Sequence, residues 1–355
     1  MISLAVQATA VSCRSAVRVM HLAHRCGTQA MAHMVEHRVA KLAAAATFLL
    51  LVIGGTVNPT GSSLACPEPT LVCHGQLFPP MVGGVFYEHG HRLAAMTVGL
   101  LQILLTILLL RRSARADDRR GISLGSLGWI LLGLVVAQGA LGAITVGYKL
   151  PWFVSTGHLL LGMSYFATLI YTAFRTRPAP TAADRERHAR HVRELGPARR
   201  WIAIACGAVF VQLLLGALVR HLGAAMVCLG MPSCTMGGDW WPDAWVQDLH
   251  MIHRGFGVVV AVVTTIAAVQ VARRAVSWPA LRTLAWIAPA LVVAQLALGV
   301  ATVMTMRAVP LAVGHFAGAA GLWALWMSAW LMTGRSARAT ETVDDAVGEM
   351  GLVSA

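Results

Sequence analysis

Eight runs of predominantly apolar residues limit most strongly what this chain can fold into. Each run is close to the length of about 20 residues that crosses the hydrocarbon of a membrane. Since only helices at this spacing satisfy their own backbone hydrogen bonds in lipid, the runs predict an all-α integral membrane protein with eight transmembrane helices. The composition agrees: 57% of the 355 residues are hydrophobic and 12% are charged, whereas soluble domains carry about twice that charge. The predicted spans are 39–57, 91–110, 125–146, 153–174, 201–219, 251–271, 283–304 and 311–333.

Basic residues concentrate in alternate connections between the predicted spans, and this pattern predicts the orientation of the chain. Most of the 28 Lys and Arg residues lie in the two tails and in connections such as 111–120 and 175–200. The positive-inside rule therefore predicts that both termini are cytoplasmic and that the protein is a multi-pass protein of the cell inner (cytoplasmic) membrane. The net charge of +13 is then topological and gives no reason to expect nucleic acid as a partner. Contact of the basic loops with acidic membrane lipid is compatible with this interpretation.

Two constant offsets along the chain indicate an internal duplication. Cys66 and Cys228 lie 162 positions apart, and the segment 136–146 resembles 293–303 at an offset of 157. Because each unit has an even number of spans, both copies have the same orientation. We therefore expect two tandem four-helix bundles related by a pseudo-two-fold axis along the membrane normal. The predicted divisions are a cytoplasmic tail (1–38), an N-terminal repeat (39–175), a basic cytoplasmic linker (176–200), a C-terminal repeat (201–335) and a cytoplasmic tail (336–355).

Two long connections on the predicted external side each contain a pair of cysteines, Cys66 with Cys73 and Cys228 with Cys234. Thiols outside the cytoplasmic membrane can be oxidised and remain so. Short loops that contain Pro and Gly can bring each pair within bonding distance. We therefore expect two disulfides. Free thiols, or a metal site that includes His74, are the alternatives.

Four histidines stand near the outer ends of the apolar spans, two in each repeat: His91, His158, His253 and His315. A lone histidine in a membrane can be a simple interhelical hydrogen-bond donor, but matching positions in both repeats favour a shared function. Haem iron takes two imidazoles on opposite faces of a flat apolar macrocycle, which a helical bundle can enclose. The expected axial pairs are His91 with His158 and His253 with His315. Zinc is less favoured, since a tetrahedral site would need more ligands at each location.

Charged residues accompany these histidines. Arg92 and Arg254 directly follow two of them and are predicted either to bind haem propionates or to extend to the lipid head groups. Glu88 lies three residues before His91, hence on the same helical face, while His250 takes its place in the second repeat. The asymmetry suggests that the first repeat carries out the chemistry, with Glu88 moving protons or stabilising a positive intermediate. A carboxylate that is favoured by the helix dipole is the alternative.

Together these features resemble those of haem A synthases over residues 38–333. The resemblance is carried by ExxHR at the second span, HR at the sixth, single histidines in the fourth and eighth, and cysteine pairs spaced C-x6-C and C-x5-C. It implies an oxidoreductase that converts one methyl group of haem O to the formyl group of haem A for terminal oxidases, through an alcohol and a gem-diol.

The resemblance also implies a division of roles between the repeats. The substrate haem O would lie in the N-terminal repeat with Glu88, His91 and His158, and a haem b cofactor would lie in the C-terminal repeat with His253 and His315. The Cys66–Cys73 disulfide would be the one linked to activity. A haem O synthase would be the upstream partner, and an electron partner of unassigned chemistry would be required.

Two other functions share some of these features. A di-haem membrane cytochrome for electron transfer would use the same histidines but gives no reason for Glu88 in one repeat only. A quinone-linked disulfide oxidoreductase would use the cysteines but needs no histidines within the membrane. One departure from the family pattern is Asn58, which stands where members often have a basic residue and where the second repeat has Arg220.

Overall fold

The computed structural model describes residues 34–114, 122–178 and 180–334. Within this part of the chain the structure is helical, and it contains no strand beyond one isolated bridge between Cys73 and Gln76. Eight of its helices are long and apolar enough to cross a membrane, which confirms the predicted all-α membrane fold. The helices are α1 (Met34–Val57), α2 (Gly83–Ser113), α3 (Leu124–Gly147), α4 (Trp152–Arg175), α5 (Ala182–Leu195), α6 (Ala198–His221), α7 (Trp245–Arg274), α8 (Pro279–Met304) and α9 (Val309–Met332).

Helices α2 and α7 begin well before the apolar runs that predict them. Helix α2 starts at Gly83 and not at residue 91, and α7 starts at Trp245 and not at residue 251. The extra turns contain polar residues such as Glu88 and His250, which hydropathy counts against a span. Both side chains are buried, each with about 4% of its surface exposed. Glu88 is therefore inside the helix and not at its N-terminus, so the helix dipole does not explain its presence.

The helices form two packed groups. Core residues of α1, α2, α3 and α4 form one cluster, which includes Ala43, Leu105 and Leu131. A second cluster joins α6, α7, α8 and α9 and also takes in residues of α4. Helix α4 contacts both α6 and α9, so it forms much of the boundary between the two groups. This packing is consistent with two tandem four-helix bundles; the pseudo-two-fold axis and the domain boundaries stay predictions.

The turns that precede α4 and α9 have the same backbone geometry. The amide of Leu150 donates to the carbonyl of Thr145, and the amide of Arg307 donates to that of Thr302, both at 2.7 Å. The last two residues of each turn have positive φ: Lys149 (56°) and Leu150 (65°) in the first, Met306 (52°) and Arg307 (69°) in the second. Left-handed backbone is uncommon for residues with a side chain, so its recurrence at an offset of 157 supports the duplication.

The predicted linker contains a helix of its own, α5. The Thr181 side chain accepts a hydrogen bond from the Asp184 amide, and the Asp184 carboxylate accepts one from the Thr181 amide, which together form a capping box. Leu195, at the end of α5, is buried in the second cluster. His188 contacts the Gly334 carbonyl through its Nε2. The segment is thus packed against the C-terminal group of helices.

Candidate functional site

His253 of α7 and His315 of α9 face each other in the C-terminal group of helices. Their ring centres are 6.4 Å apart, and the two ring planes are nearly perpendicular, at an angle of 85°. Two imidazoles that bind one iron from opposite sides have ring centres about 6 Å apart. Each metal–nitrogen bond is about 2 Å long, and each nitrogen lies about 1 Å from its ring centre. The spacing therefore fits two axial ligands of a single iron.

A cavity of about 630 Å³ surrounds this histidine pair. It lies between α6, α7, α8 and α9, and it reaches the end of α1 at Gly55 and Asn58. Its volume is in the range of about 300–1,000 Å³ typical of sites for small molecules and cofactors. Most of the lining is apolar, for example Leu213, Val260 and Leu296. An apolar cavity with two facing imidazoles fits a haem.

Each of the four membrane histidines packs its ring against a glycine of the preceding helix. A Cβ atom built on any of these glycines would lie 2.7 to 3.3 Å from the Cε1 atom of the histidine. This is closer than ordinary van der Waals contact, so a larger residue at any of these positions would force the histidine ring to shift. The pairs are Gly54–His91, Gly142–His158, Gly216–His253 and Gly299–His315.

Three of these glycines follow a glutamine by four residues, one helical turn away. Gln138 donates to the His158 carbonyl at 2.8 Å, and Gln212 donates to the His253 carbonyl at 3.0 Å and contacts its Nδ1 at 3.2 Å. The backbone carbonyl of Gln295 lies 3.1 Å from Nδ1 of His315. A histidine whose Nδ1 donates to a carbonyl keeps the Nε2 lone pair for a metal. Sequence reasoning missed this glutamine–glycine pattern, although its spacing is visible there.

The histidine pair of the N-terminal group is less firmly held. His91 interacts electrostatically with His158 and with Arg220 of the other group. The Nδ1 atoms of His91 and His158 are buried and have no hydrogen-bond partner. At the α1 position that corresponds to Gln212 the chain has Leu50. The two groups therefore differ in how tightly the protein fixes its imidazoles.

Both predicted disulfides are present, Cys66–Cys73 and Cys228–Cys234. All four cysteines are buried. His74 instead contacts the Ala65 carbonyl through its Nε2, and His89 is the histidine that lies within 4.8 Å of the first pair. The alternatives of free thiols and of a metal site with His74 are therefore not what the structure shows.

Glu88 and Arg92 hold the first disulfide loop. The Glu88 carboxylate accepts from the Cys66 amide at 2.9 Å and forms an ion pair with Arg92 at 2.6 Å. Nη2 of Arg92 also donates to the Cys66 carbonyl, and Nη1 donates to three further carbonyls of the loop. These contacts occupy both terminal nitrogens, which places Arg92 against the loop.

Arg254 has the same position in the second loop. Its Nη2 donates to the Cys228 carbonyl at 2.6 Å, and its Nη1 donates to the carbonyls of Gly230 and Ser233. The arginine that follows each histidine thus supports the disulfide loop of its own repeat. This is a role that the sequence did not indicate, since it depends on the path of each loop.

The first loop has one further anchor, Glu68, whose carboxylate accepts from the amides of His74 and Gly75, each at 3.0 Å. Partial desolvation raises the pKa of Glu68, but hydrogen bonds from its own amide and from those of Gly75 and His74 together bring it below the ordinary value. The carboxylate is therefore charged at neutral pH and holds the turn after Cys73.

Residues 81–327 match the family model of COX15-CtaA, described as cytochrome oxidase assembly protein. Three curated relatives are each named heme A synthase. The protein of Shouchella clausii is 27% identical over 78% of this chain and 89% of its own length. That of Symbiobacterium thermophilum is 29% identical over 74% and 84%, and that of Exiguobacterium sibiricum is 30% identical over 58% and 66%. The matched residues include all four membrane histidines, so the chain belongs to the COX15-CtaA family of cytochrome oxidase assembly proteins.

Proposed function

We propose that the protein is a haem A synthase, an oxidoreductase that converts a methyl group of haem O to a formyl group. The observation that carries the proposal is the 6.4 Å spacing of the His253 and His315 rings inside an apolar cavity. Family membership and the names of the curated relatives support the reaction. Haem, when bound, supplies the redox chemistry. The protein supplies ligands, orientation and a site that excludes water.

The two haem sites have different roles in this proposal. His253 and His315, fixed by Gln212 and Gln295, would hold a haem b that stays bound. His91 and His158, whose Nδ1 atoms lack partners, would bind haem O and then release the product. A resident cofactor benefits from fixed ligands, whereas a substrate must leave after each turnover.

Glu88 is the candidate acid–base group of the substrate site. Its carboxylate is buried one turn from His91 and is paired with Arg92. In each of two steps the methyl carbon would lose two electrons to the electron partner and gain a hydroxyl group from water, which releases two protons; the resulting gem-diol then loses water to give the formyl group. Glu88 can accept a proton when Arg92 turns fully to the loop carbonyls. Electrons from the substrate would cross the boundary formed by α4, α6 and α9.

The reaction is tested by pigment extraction from cells that also contain a haem O synthase, the expected upstream partner. The wild-type chain is expected to yield haem A, and Glu88→Gln is expected to lower that yield at least tenfold while the Soret band stays. Glu186→Gln, which makes the same change at an exposed carboxylate of α5, is the matched control and keeps most of the yield. If the wild-type chain binds two haems but haem O is extracted unchanged, the protein is a di-haem cytochrome instead.

The orientation is a second part of the proposal. We expect a location in the cell inner membrane with both termini cytoplasmic and the disulfide loops outside, since Arg-rich connections remain in the cytoplasm. A periplasmic reporter enzyme is expected to be active when inserted after Gly237, in the second loop, and inactive when fused after Ala355. The opposite pattern would contradict the orientation.

A further inference from the structure

Of the three arginines that line the C-terminal cavity, Arg254 holds the second disulfide loop, while Arg220 and Arg307 have no acidic partner. Arg220 lies in the last turn of α6 and Arg307 follows α8, and both line the cavity with the histidine pair. Among residues 34–114, 122–178 and 180–334, no carboxylate forms an ion pair with either. A guanidinium has five N–H donors, and buried donors normally find acceptors. These two side chains therefore have unused hydrogen-bonding capacity next to the site.

The contacts that the two arginines do make are weak. Arg220 donates to the Gly55 carbonyl and Arg307 donates to the Asn58 carbonyl, each at 3.4 Å, the long end of the range. The Nε atom of Arg220 is buried with no partner. The two guanidinium groups also repel each other, because each carries a positive charge in a region of low polarity. A ligand with two negative groups would accept hydrogen bonds from the unpaired donors and would reduce the repulsion between the two positive charges.

The arginines that follow the histidines have less of this capacity, although the Nε atom of Arg254 is also buried without a partner. Arg92 and Arg254 each donate through both terminal nitrogens to the carbonyls of their disulfide loops. In contrast, Arg220 and Arg307 approach the cavity from the ends of helices that do not carry the histidine ligands. Among the arginines that line the cavity, they are thus the two whose terminal nitrogens do not hold a disulfide loop.

The pair occurs in one repeat only. The corresponding positions of the N-terminal repeat hold Asn58 and Leu150. Arg307 has a φ of 69° and Leu150 has a φ of 65°. The two turns therefore have the same backbone conformation, but only the second carries a positive charge at this position. Lys149, which precedes Leu150, is exposed. The structural difference between the two repeats at this point is therefore two partly buried positive charges.

We propose that Arg220 and Arg307 form a clamp for two carboxylates, which binds the propionate groups of the haem held in the C-terminal cavity. The clamp rests on the haem sites of the proposed function and deepens it. It makes the C-terminal site retain its haem, while the N-terminal site, with Asn58 and Leu150, releases its haem after reaction. Because both arginines also contact the end of α1, the clamp lies at the boundary between the two groups of helices.

Haem retention tests the clamp separately from activity. The full-length chain in detergent is loaded either with ferric protoporphyrin IX or with its dimethyl ester, in which both propionates are uncharged. Loss of the Soret band to an excess of a soluble haem-scavenging protein then gives the rate of release. We expect the wild-type chain to retain the diacid at least about tenfold longer than the ester, since hydrogen bonds to charged groups are stronger than those to neutral groups.

In the double variant Arg220→Gln/Arg307→Gln, diacid and ester are expected to leave at similar rates. An unchanged preference for the diacid in that variant, or no preference in the wild-type chain, would overturn the clamp. Arg282→Gln, an exposed arginine at the opposite end of α8, is the matched control and keeps the wild-type ratio. If the double Gln variant binds neither compound, Arg220→Lys/Arg307→Lys decides: a remaining preference supports the clamp, and its loss overturns it.

The outcomes distinguish the clamp from the function on which it rests. A wild-type chain with no Soret band after loading would contradict haem binding itself. A Soret band with equal retention of diacid and ester would contradict only the roles of Arg220 and Arg307.

Discussion

His315→Ala is expected to remove the haem of the C-terminal cavity and to leave the N-terminal site able to bind. The iron would lose one of two axial bonds, and His253 alone cannot hold the macrocycle in a fixed orientation. We expect the Soret absorbance per chain to fall by about half in protein loaded at both sites, and His91→Ala to remove the other haem. The spectra and the extracted haem types of the two variants should therefore differ.

Imidazole in the buffer separates loss of a ligand from loss of the fold. The space left by the His315 ring can admit a free imidazole, so the variant is expected to recover a low-spin spectrum with imidazole. His188→Ala, which lies outside the membrane spans, is the control and should show the wild-type spectrum. If His315→Ala keeps that spectrum without imidazole, the two histidines are not the axial pair.

Gly216→Leu is expected to displace the His253 ring and to weaken haem retention in the same cavity at least tenfold. A Cβ on Gly216 already comes within 3.2 Å of the His253 Cε1 atom, and a leucine side chain extends further into the ring. Overpacking of this kind destabilises a folded protein by about 1–3 kcal/mol. Here the strain is expected to displace the His253 ring. Retention is measured by transfer of haem to a scavenging protein, as for the arginine variants.

Gly207→Leu is the matched control for this substitution. It lies on the same helix, makes the same change in helix propensity, and has open space where its Cβ would be. We expect it to retain haem as the wild-type chain does. Equal haem retention in the two variants would show that contact with Gly216 does not position His253. The same comparison can be made on α3 with Gly142→Leu and Gly139→Leu.

The two repeats share a structural framework and differ at a few positions around the proposed haem sites. Both have a glycine under each histidine, an arginine that holds a disulfide loop, and a left-handed turn before the last helix. They differ at Glu88 and His250, at Leu50 and Gln212, and at Asn58 and Arg220. In the proposed function, each difference would give the C-terminal repeat a firmer hold on its haem or would give the N-terminal repeat a reactive group. This is the asymmetry expected of one resident and one exchanging haem.

The fold could be predicted from the sequence because it depends on properties of single residues and of short spacings, and the same properties gave the proposed ligand set, which stays a prediction. Apolar runs identified the eight spans, and constant offsets identified the duplication. The same offsets selected His91, His158, His253 and His315 from fourteen histidines. The predicted disulfide pairing was also correct, because each of the two loops contains one pair of cysteines that are close in sequence.

Only the tertiary structure decided which acceptor each hydrogen-bond donor contacts. The sequence placed Arg92 and Arg254 beside the histidines, but in the folded protein both donate to backbone carbonyls of the disulfide loops. Arg220 and Arg307 line the cavity from other parts of the chain. The start of α2 at Gly83 likewise depends on contacts that bury Glu88. Hydropathy and spacing describe one segment at a time, whereas hydrogen bonds and ring contacts join segments that only folding brings together.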